Sequence, residues 1–200
     1  MTKGFFITFE GIEATGKSTQ SKLLFDSFNK NKIEVIHTRE PGGCTISERI
    51  RDILVNGHPD SIDKITELLL IFAARNEHIL RKIKPAIENN ITVICDRFID
   101  STIAYQGYGH NINVDFIKKL HNKLFNNFYP DLTIILDMDI EYTLNRISSR
   151  GGSEDRYEKM NISFHKRMQN GFHTLSSENQ RYALVDANNS VEAIHDQIIS

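Results

Sequence analysis

The sequence predicts an α/β fold in which a five-stranded parallel sheet is covered by helices on both faces. Short apolar, β-branched runs alternate with longer amphipathic stretches, and no two runs are joined by a hairpin signal. The runs are apolar at successive positions, which is typical of strands that are buried on both faces. The predicted strands are residues 5–9, 33–38, 91–95, 132–138 and 182–185.

The stretches between these strands carry apolar residues at helical spacing. In the second stretch, Ile46, Ile50 and Ile53 recur every three or four positions, which predicts an amphipathic helix. The polar stretches 107–113 and 150–161 are expected to form mobile loops. The predicted helices are residues 17–30, 45–56, 63–89, 115–126, 140–149, 163–178 and 190–199. The stretch 63–89 is either one long helix or a long helix followed by a second that includes Pro85.

The composition is that of one globular domain, which we expect to span residues 1–200. Hydrophobic residues make up 40% and charged residues 25% of the chain, which excludes a disordered tail, a coiled coil and a collagen-like fibre. The 24 basic and 26 acidic residues give a net charge of −2, which disfavours a nucleic-acid partner. No apolar run approaches the ~18 residues of a membrane span. Cys44 and Cys95 form no metal-binding pattern, so we expect a cytoplasmic protein with reduced thiols.

Residues 11–18 have the sequence of a phosphate-binding loop. They match G-x-x-x-x-G-K-[ST] at every fixed position and lie between a predicted strand and a predicted helix. Glycines let the backbone N–H groups converge on phosphate oxygens, and the following helix N-terminus adds a favourable dipole. Lys17 is predicted to contact the β- and γ-phosphates, and the Ser18 hydroxyl to ligate Mg²⁺. The predicted triphosphate-binding residues are Gly11, Ile12, Glu13, Ala14, Thr15, Gly16, Lys17 and Ser18.

Asp96 closes the third predicted strand and is the predicted second protein ligand of Mg²⁺, directly or through water. The chain is therefore predicted to bind a nucleoside triphosphate. No Asn-Lys pair is followed by Asp two residues on, so the base-reading motif of a GTPase is missing. A chain of 200 residues also has no room for the accessory domains of a motor or a helicase. A small kinase is the class that remains.

Four further segments are similar to the thymidylate kinase family. They are Phe-Glu-Gly-Ile-Glu at 9–13, Thr-Arg-Glu-Pro-Gly-Gly at 38–43, residues 96–107 from Asp-Arg-Phe to Ala-Tyr-Gln-Gly, and residues 146–158 with Arg-Gly-Gly and Asp-Arg-Tyr-Glu. The resemblance covers nearly the whole chain and implies a three-layer P-loop NTPase fold of the nucleoside monophosphate kinase type. It also implies Mg²⁺-dependent phosphorylation of dTMP to dTDP by ATP, a homodimer, and a short lid at about 146–161.

Two arginines follow predicted strand ends, where the ligands of open α/β sheets bind. Arg39 and Arg97 each carry a guanidinium group that can hold a monophosphate dianion through two hydrogen bonds. The resemblance assigns this role to Arg97, which we also place among the catalytic residues, and implicates the loop of Arg39. It further implies that Glu13 accepts a hydrogen bond from the sugar 3′-hydroxyl, and that Tyr105 crowds the 2′ position and favours deoxyribose.

The thymine base is expected to meet the long predicted helix. The family carries an aromatic residue four positions before an arginine, whereas here Ile71 stands four and Phe72 three positions before Arg75. Both spacings reach the same helix face. We predict that Phe72 contacts the base, with Ile71 as the alternative, and that Arg75 donates to thymine O4. Ser101 and Thr102 match positions near the thymine and the phosphate.

The catalytic arginine of this family lies either in the P-loop or in the lid. Ala14 occupies the P-loop position, so the chain resembles the bacterial type with lid arginines. Such an arginine can be worth about 10³ or more in rate. Arg150 is the first candidate, followed by Arg146 and Arg156.

Two other functions remain open at this point. One is a small P-loop kinase that acts on a nucleoside or on another nucleoside monophosphate. The other is a non-catalytic nucleotide-binding module, which the joint presence of Lys17, Asp96 and two acceptor-side arginines disfavours. If the chain forms the homodimer of the family, the apolar stretch 68–74 is a candidate contact.

Overall fold

The computed structural model describes residues 4–150 and 156–200, with the backbone alone for residues 148–150. Its strands are β1 (Phe6–Glu10), β2 (Val35–Arg39), β3 (Thr92–Asp96), β4 (Leu132–Asp137) and β5 (Tyr182–Asp186). Each strand lies within two residues of its predicted bounds. The strands form one parallel sheet in the order β2-β3-β1-β4-β5, so the predicted α/β fold is confirmed.

Helices connect the strands and cover both faces of the sheet. The long helix predicted at 63–89 is continuous, but its middle turn, Ile79–Ile83, is a π-helical segment. The Asp63 side chain begins it by accepting hydrogen bonds from the backbone N–H groups of Ile65 and Thr66. The helices are α1 (Lys17–Lys30), α2 (Thr45–Val55), α3 (Lys64–His78), α4 (Lys84–Glu88), α5 (Ile99–Thr102), α6 (Val114–Phe125), α7 (Ile140–Arg150), α8 (Ile162–Ser176) and α9 (Val191–Ile199).

The sheet separates two apolar layers. On one face, Phe9 of β1 packs in a cluster with Leu24 of α1 and Ile194 of α9. On the other face, Phe6 belongs to a larger cluster built from β1, β3, α3, α6 and α8. Phe72 lies in that larger cluster, 4% exposed, with its ring stacked on Phe125 at 5.9 Å between centroids. In the described residues, no helix is long and apolar enough to cross a membrane.

The register brings the carboxyl ends of three strands to one level. Phe9 of β1 and Arg39 of β2 both pair with Asp96 of β3. In an open parallel sheet, the loops that follow such ends form the ligand-binding crevice. The P-loop follows β1, the Arg39 loop follows β2, and Arg97 follows β3, so the fold places the predicted phosphate-binding groups together.

The expectation of a mobile loop at 107–113 is wrong for its first half. Residues Ile103–Gly109 form a π-helical segment that continues α5, and Gly107 and Gly109 are buried in it. A Cβ atom on Gly109 would lie 2.6 Å from the Phe164 ring, and one on Gly107 would lie 3.0 Å from Val114. These glycines therefore permit close packing of helices, which a sequence does not distinguish from the glycines of a loop.

The core position of Phe72 leads to a first prediction. Phe72→Ala is expected to lower the free energy of unfolding by about 3–5 kcal/mol, because it removes a buried ring and leaves a cavity. Denaturant unfolding followed by circular dichroism measures the change. Ile199→Ala, at an exposed position at the end of α9, is the control and is expected to stay within about 0.5 kcal/mol of wild type. Equal effects of the two substitutions would contradict the core position.

Candidate active site

A pocket of about 650 Å³ opens at the carboxyl edge of the sheet. It lies between the P-loop, the loop after β2, helix α3, and the segment after β3. Most of the residues predicted for the site contribute to its wall. They are Glu13, Ala14, Lys17, Ser18, Arg39, Arg75, Asp96, Arg97, Ser101, Thr102 and Tyr105.

The P-loop has the backbone conformation that its glycines were expected to allow. Gly11 and Gly16 have positive φ angles of 133° and 95°, and a Cβ atom on Gly11 would lie 2.5 Å from the Leu136 carbonyl oxygen. Gly16 precedes the first turn of α1. Backbone N–H groups at this turn have no partner within the helix and can bind phosphate oxygens.

Ser18 and Asp96 come together as the Mg²⁺ prediction requires. The Ser18 hydroxyl donates a hydrogen bond to Asp96 Oδ2, across the gap between α1 and β3. A hydroxyl and a carboxylate are hard oxygen donors of the kind that Mg²⁺ prefers, and Mg²⁺ commonly takes its other ligands from phosphates and water. The donor set therefore fits this ion.

Lys17 lies folded back onto its own loop. Its ammonium group donates to the Ile12 carbonyl oxygen at 2.5 Å and to Thr15 Oγ1 at 3.4 Å. Burial, followed by the nearby charge of Arg97, lowers the pKa of Lys17 to about 7. Both effects oppose a buried positive charge, so an anionic ligand at the loop favours the protonated form of this side chain.

Arg97 is held in a fixed orientation on the pocket wall. Its backbone has a positive φ of 71°, and its Nη1 donates to the Gly11 carbonyl oxygen and to Ser101 Oγ, each at 2.9 Å. Its guanidinium carbon lies 4.9 Å from the centre of the Tyr105 ring, and Nη2 lies 3.7 Å from Glu13 Oε1. The guanidinium group is thus positioned before any ligand binds.

Glu13 is a charged acid inside this phosphate-binding region. Burial alone would raise its pKa, but His165, Arg97, Lys17 and Tyr105 together lower the pKa to about 2. The Tyr105 hydroxyl donates to Glu13 Oε1, and His165 Nδ1 lies 3.7 Å from Oε2. Within the described residues, Oε2 is buried and has no hydrogen-bond partner, so it can accept a hydrogen bond from a ligand hydroxyl.

Glu10 organises the segment that follows β3. It is fully buried at the end of β1 and accepts hydrogen bonds from the Phe98 backbone N–H at 2.7 Å and from Ser101 Oγ at 2.5 Å. Burial, with Asp100 second, raises the pKa of Glu10 to about 8. Ser101 therefore connects Glu10 to the Arg97 guanidinium group and helps to orient it.

Arg75 and Glu40 form a second buried pair beside the pocket. Arg75 Nε donates to Glu40 Oε2 at 2.7 Å, and Nη2 donates to Thr102 Oγ1 at 2.8 Å. Among the described residues, Arg75 Nη1 has no hydrogen-bond partner. Arg39 differs from this pair, because it is half exposed and meets Glu48 at 3.0 Å.

Several residues of the pocket wall, and one residue that contacts Glu13 without lining the pocket, were not predicted. His165 reaches Glu13 from α8, and the distance along the chain gave no signal for this contact. Arg51 lies within the amphipathic helix α2, where an arginine is typical of a solvated face, and its Nη1 donates to the Pro41 carbonyl oxygen at 2.9 Å. The other wall residues that were not predicted are Glu40, Pro41, Val55, Phe98, Gln106, Tyr157 and Glu158.

Phe72 is not brought to the pocket. Its ring belongs to the core beside Phe125, whereas Ile71 lines the pocket wall. The two positions are adjacent on α3 and point to different neighbours, so only one of them can face a ligand. The structure therefore corrects the choice of Phe72 and favours Ile71, the alternative.

Arg156 also has a different position from the one expected of a lid arginine. It is fully buried, its Nη1 lies 2.5 Å from Glu67 Oε2, and it donates to the carbonyl oxygens of Leu54 and Pro59 at 3.2 and 3.0 Å. This ion pair anchors the later part of the predicted lid segment against α2 and α3. Arg156 does not line the pocket formed by the described residues, and its catalytic role stays a prediction.

The two other lid candidates lie on α7. Arg146 is half-buried, with Nη1 3.7 Å from Met138 Sδ and its guanidinium carbon 5.8 Å from the Tyr142 ring centre. The Arg150 side chain and residues 151–155, which the lid prediction includes, lie outside the described residues.

Comparisons with known proteins agree with these features. The family model described as "Thymidylate kinase" matches residues 9–198. The chain is 46% identical over 193 residues to a thymidylate kinase of Magnetococcus marinus, covering 96% of this chain and 92% of that protein. It is 43% identical to one of Halothermothrix orenii, covering 98% and 95%. The solved structure of thymidylate kinase from Ehrlichia chaffeensis superposes with a TM-score of 0.80 at 35% identity, covering 99% of this chain and 97% of that one.

The Arg156–Glu67 pair leads to a prediction about stability. Arg156→Ala is expected to lower the free energy of unfolding by about 3–5 kcal/mol, because it leaves the buried Glu67 carboxylate without a counter-charge. Denaturant unfolding measures this loss. The double variant Arg156→Ala/Glu67→Gln removes both charges and is expected to recover part of it. A double variant less stable than Arg156→Ala would contradict the pairing.

Proposed function

The chain belongs to the thymidylate kinase family, and from this premise we propose which residues perform its reaction. The enzyme transfers the γ-phosphoryl group of ATP to dTMP and releases dTDP and ADP. One observation carries our assignment of residues. A single pocket, adjoining the P-loop, is lined by Arg97, whose guanidinium group is held by Gly11, and by Arg75, whose Nη1 has no hydrogen-bond partner among the described residues.

The phosphate and sugar of dTMP are assigned to the wall near the P-loop. Arg97 and Arg39 bind the phosphate, since two guanidinium groups match the two charges of a monophosphate. Glu13 accepts a hydrogen bond from the 3′-hydroxyl through Oε2, which has no hydrogen-bond partner among the described residues. Tyr105, whose hydroxyl is held by Glu13, excludes a 2′-hydroxyl.

The thymine base is assigned to the opposite wall. Arg75 donates from Nη1 to the O4 acceptor of the base, and Thr102 fixes this arginine through Nη2. Ile71 provides an apolar contact for the ring, in place of Phe72. Ser101 lies between the two regions, hydrogen-bonded to both Arg97 and Glu10.

The P-loop backbone and Lys17 are assigned to the triphosphate of ATP. The Lys17 ammonium leaves its contact with Ile12 and binds the β- and γ-phosphates. Ser18 and Asp96, which are hydrogen-bonded to each other, would hold Mg²⁺ beside the triphosphate. When bound, this ion neutralises charge on the phosphate oxygens.

The chemistry requires positioning and charge stabilisation rather than a covalent enzyme intermediate. A dTMP phosphate oxygen attacks the γ-phosphorus in line, and ADP leaves from the opposite side. Arg97 holds the attacking phosphate, while Lys17 stabilises charge on the transferred group. Arg150 supplies a further positive charge from the lid, with Arg146 as the second candidate.

We also propose that the enzyme is a homodimer that works in the cytoplasm. The stretch 68–74 is mostly core, since Leu68, Ile71, Phe72 and Ala74 are buried. Large apolar side chains are nevertheless exposed on the adjoining helices α2, α3 and α6, and two copies of this surface can cover each other. Its residues are Ile46, Ile53, Ile65, Leu69, Phe116 and Leu124.

Sedimentation equilibrium measures the mass of the assembly and tests the dimer. Leu69→Glu is expected to give a monomer, and a mass equal to that of the wild-type dimer would refute this surface.

The cytoplasmic location rests on Cys44 and Cys95, which are free thiols and typical of a reducing compartment. Cell fractionation tests the location, and recovery outside the cytoplasmic fraction would contradict it.

A panel of acceptors tests the substrate assignment directly. ATP is supplied with dTMP, dUMP, dCMP, dGMP or thymidine, and ADP release is measured. We expect the highest kcat/KM with dTMP and no activity with thymidine, which lacks the phosphate that Arg97 binds. Preference for another acceptor would favour a different small kinase, and no ADP release with any acceptor would favour a nucleotide-binding module.

Arg97→Ala is expected to raise the KM for dTMP far more than the KM for ATP. The substitution removes the guanidinium group that binds the acceptor phosphate and leaves the P-loop in place. Initial rates at varied concentrations of each substrate measure both constants. Equal increases in the two KM values would contradict the assignment of Arg97 to dTMP.

Arg150→Ala is expected to lower kcat by about 10³ or more with little change in either KM, because its charge acts on the transferred phosphoryl group. Steady-state kinetics at saturating substrates measure the loss, and Arg150→Lys, which keeps a positive charge, is the control. An unchanged kcat would remove Arg150 from the catalytic residues, and a loss seen only in Arg146→Ala would assign the role to Arg146.

A further inference from the structure

We propose that His78 is a positioning residue for recognition of the thymine base, and that it acts on Arg75 through the Glu40 carboxylate. This inference rests on the proposed function, because it assumes that dTMP occupies the pocket beside Arg75. It adds to the base-binding side of the site a residue that does not line the pocket and acts only through its neighbours.

His78 and Arg75 hold the same carboxylate from two sides. They lie one turn apart on α3, and both are buried. Arg75 Nε donates to Glu40 Oε2 at 2.7 Å, while His78 Nδ1 lies 3.0 Å from Glu40 Oε1. An ionised carboxylate only accepts hydrogen bonds, so Nδ1 is the protonated nitrogen that donates to it. With both oxygens engaged, the Glu40 carboxylate cannot rotate.

The His78 ring is itself fixed by Thr38 of β2 and by Gly43 of the loop that follows this strand. Its Nε2 lies 2.7 Å from Thr38 Oγ1, the partner on the opposite side of the ring from Glu40. Gly43 closes over the same nitrogen, since a Cβ atom built there would lie 2.4 Å from Nε2. The ring therefore has one orientation, in which Nδ1 points at Glu40.

This chain of contacts determines where Arg75 can donate. Glu40 holds Nε, and Thr102 Oγ1 accepts from Nη2 at 2.8 Å. In the described part of the chain, the remaining nitrogen, Nη1, has no hydrogen-bond partner, and Arg75 lines the pocket. Loss of the His78 contact frees the carboxylate to turn, and the guanidinium plane turns with it. In the proposed complex, the guanidinium group that we assign to the base is then no longer held in position.

Two amide substitutions separate this role from simple packing. In His78→Asn the side-chain nitrogen falls near the place of Nδ1 and keeps a donor for Glu40. In His78→Gln it falls near the place of Nε2, which keeps the Thr38 side and loses the Glu40 donor. Glutamine fills more of the buried space than asparagine, so a packing role alone would make His78→Asn the more damaging change.

If His78 acts through Glu40, His78→Gln is instead expected to impair the enzyme more than His78→Asn. His78→Gln should raise the KM for dTMP about tenfold, the typical effect of one lost hydrogen bond to a charged group, and leave kcat and the KM for ATP near wild type. His78→Asn should leave all three constants near wild type. In a Glu40→Gln background, His78→Gln should cause no further change in the KM for dTMP.

The opposite results would overturn the inference. Equal KM values for dTMP in the two variants, a larger increase in His78→Asn, or an additive effect in the Glu40→Gln background would each show that His78 does not act through Glu40. Loss of folding in both variants, measured by thermal unfolding, would assign the ring a structural role instead. Wild-type enzyme that fails to phosphorylate dTMP would refute the proposed function and not this contact.

Discussion

The site depends on acids that hold buried arginines. A guanidinium group removed from water is unfavourable unless a counter-charge and hydrogen bonds replace the lost hydration. Glu40 supplies this counter-charge to Arg75 at 2.7 Å, and Glu13 lies 3.7 Å from Arg97. Each acid comes from a different element than its arginine. The pairs therefore form only if the carboxyl ends of β1, β2 and β3 lie side by side, as the strand register places them. The same pairs orient the arginines toward the pocket.

The same principle explains how a nearly neutral chain can bind highly charged nucleotides. The net charge of −2 is a sum over all residues, and several acids lie beside the arginines of the site. A third pair, Arg156 with Glu67, does not line the pocket but fixes the later part of the predicted lid segment. Glu67 also accepts from Gln106, the neighbour of Tyr105, at 2.6 Å. One buried carboxylate therefore connects the predicted lid segment to the segment that we assign to the sugar.

Much of this arrangement could be predicted from the sequence because it follows from local patterns. Apolar runs identified the strands, and the P-loop motif and the polar residues after the strands identified the edge where the ligands bind. Patterns failed where the neighbours are distant in sequence. The choice between Ile71 and Phe72 depends on which side of α3 meets α6, and the partners of Arg156 and His165 come from other elements. No spacing within one segment contains that information.

The division of the pocket into a phosphate side and a base side can be measured by calorimetry. The quantity is the difference in binding free energy between dTMP and thymidine, determined for wild type, Arg97→Ala and Arg75→Ala. If Arg97 binds the phosphate and Arg75 the base, Arg97→Ala removes most of this difference, whereas Arg75→Ala weakens both ligands and leaves the difference intact. The same loss in both variants would contradict the division.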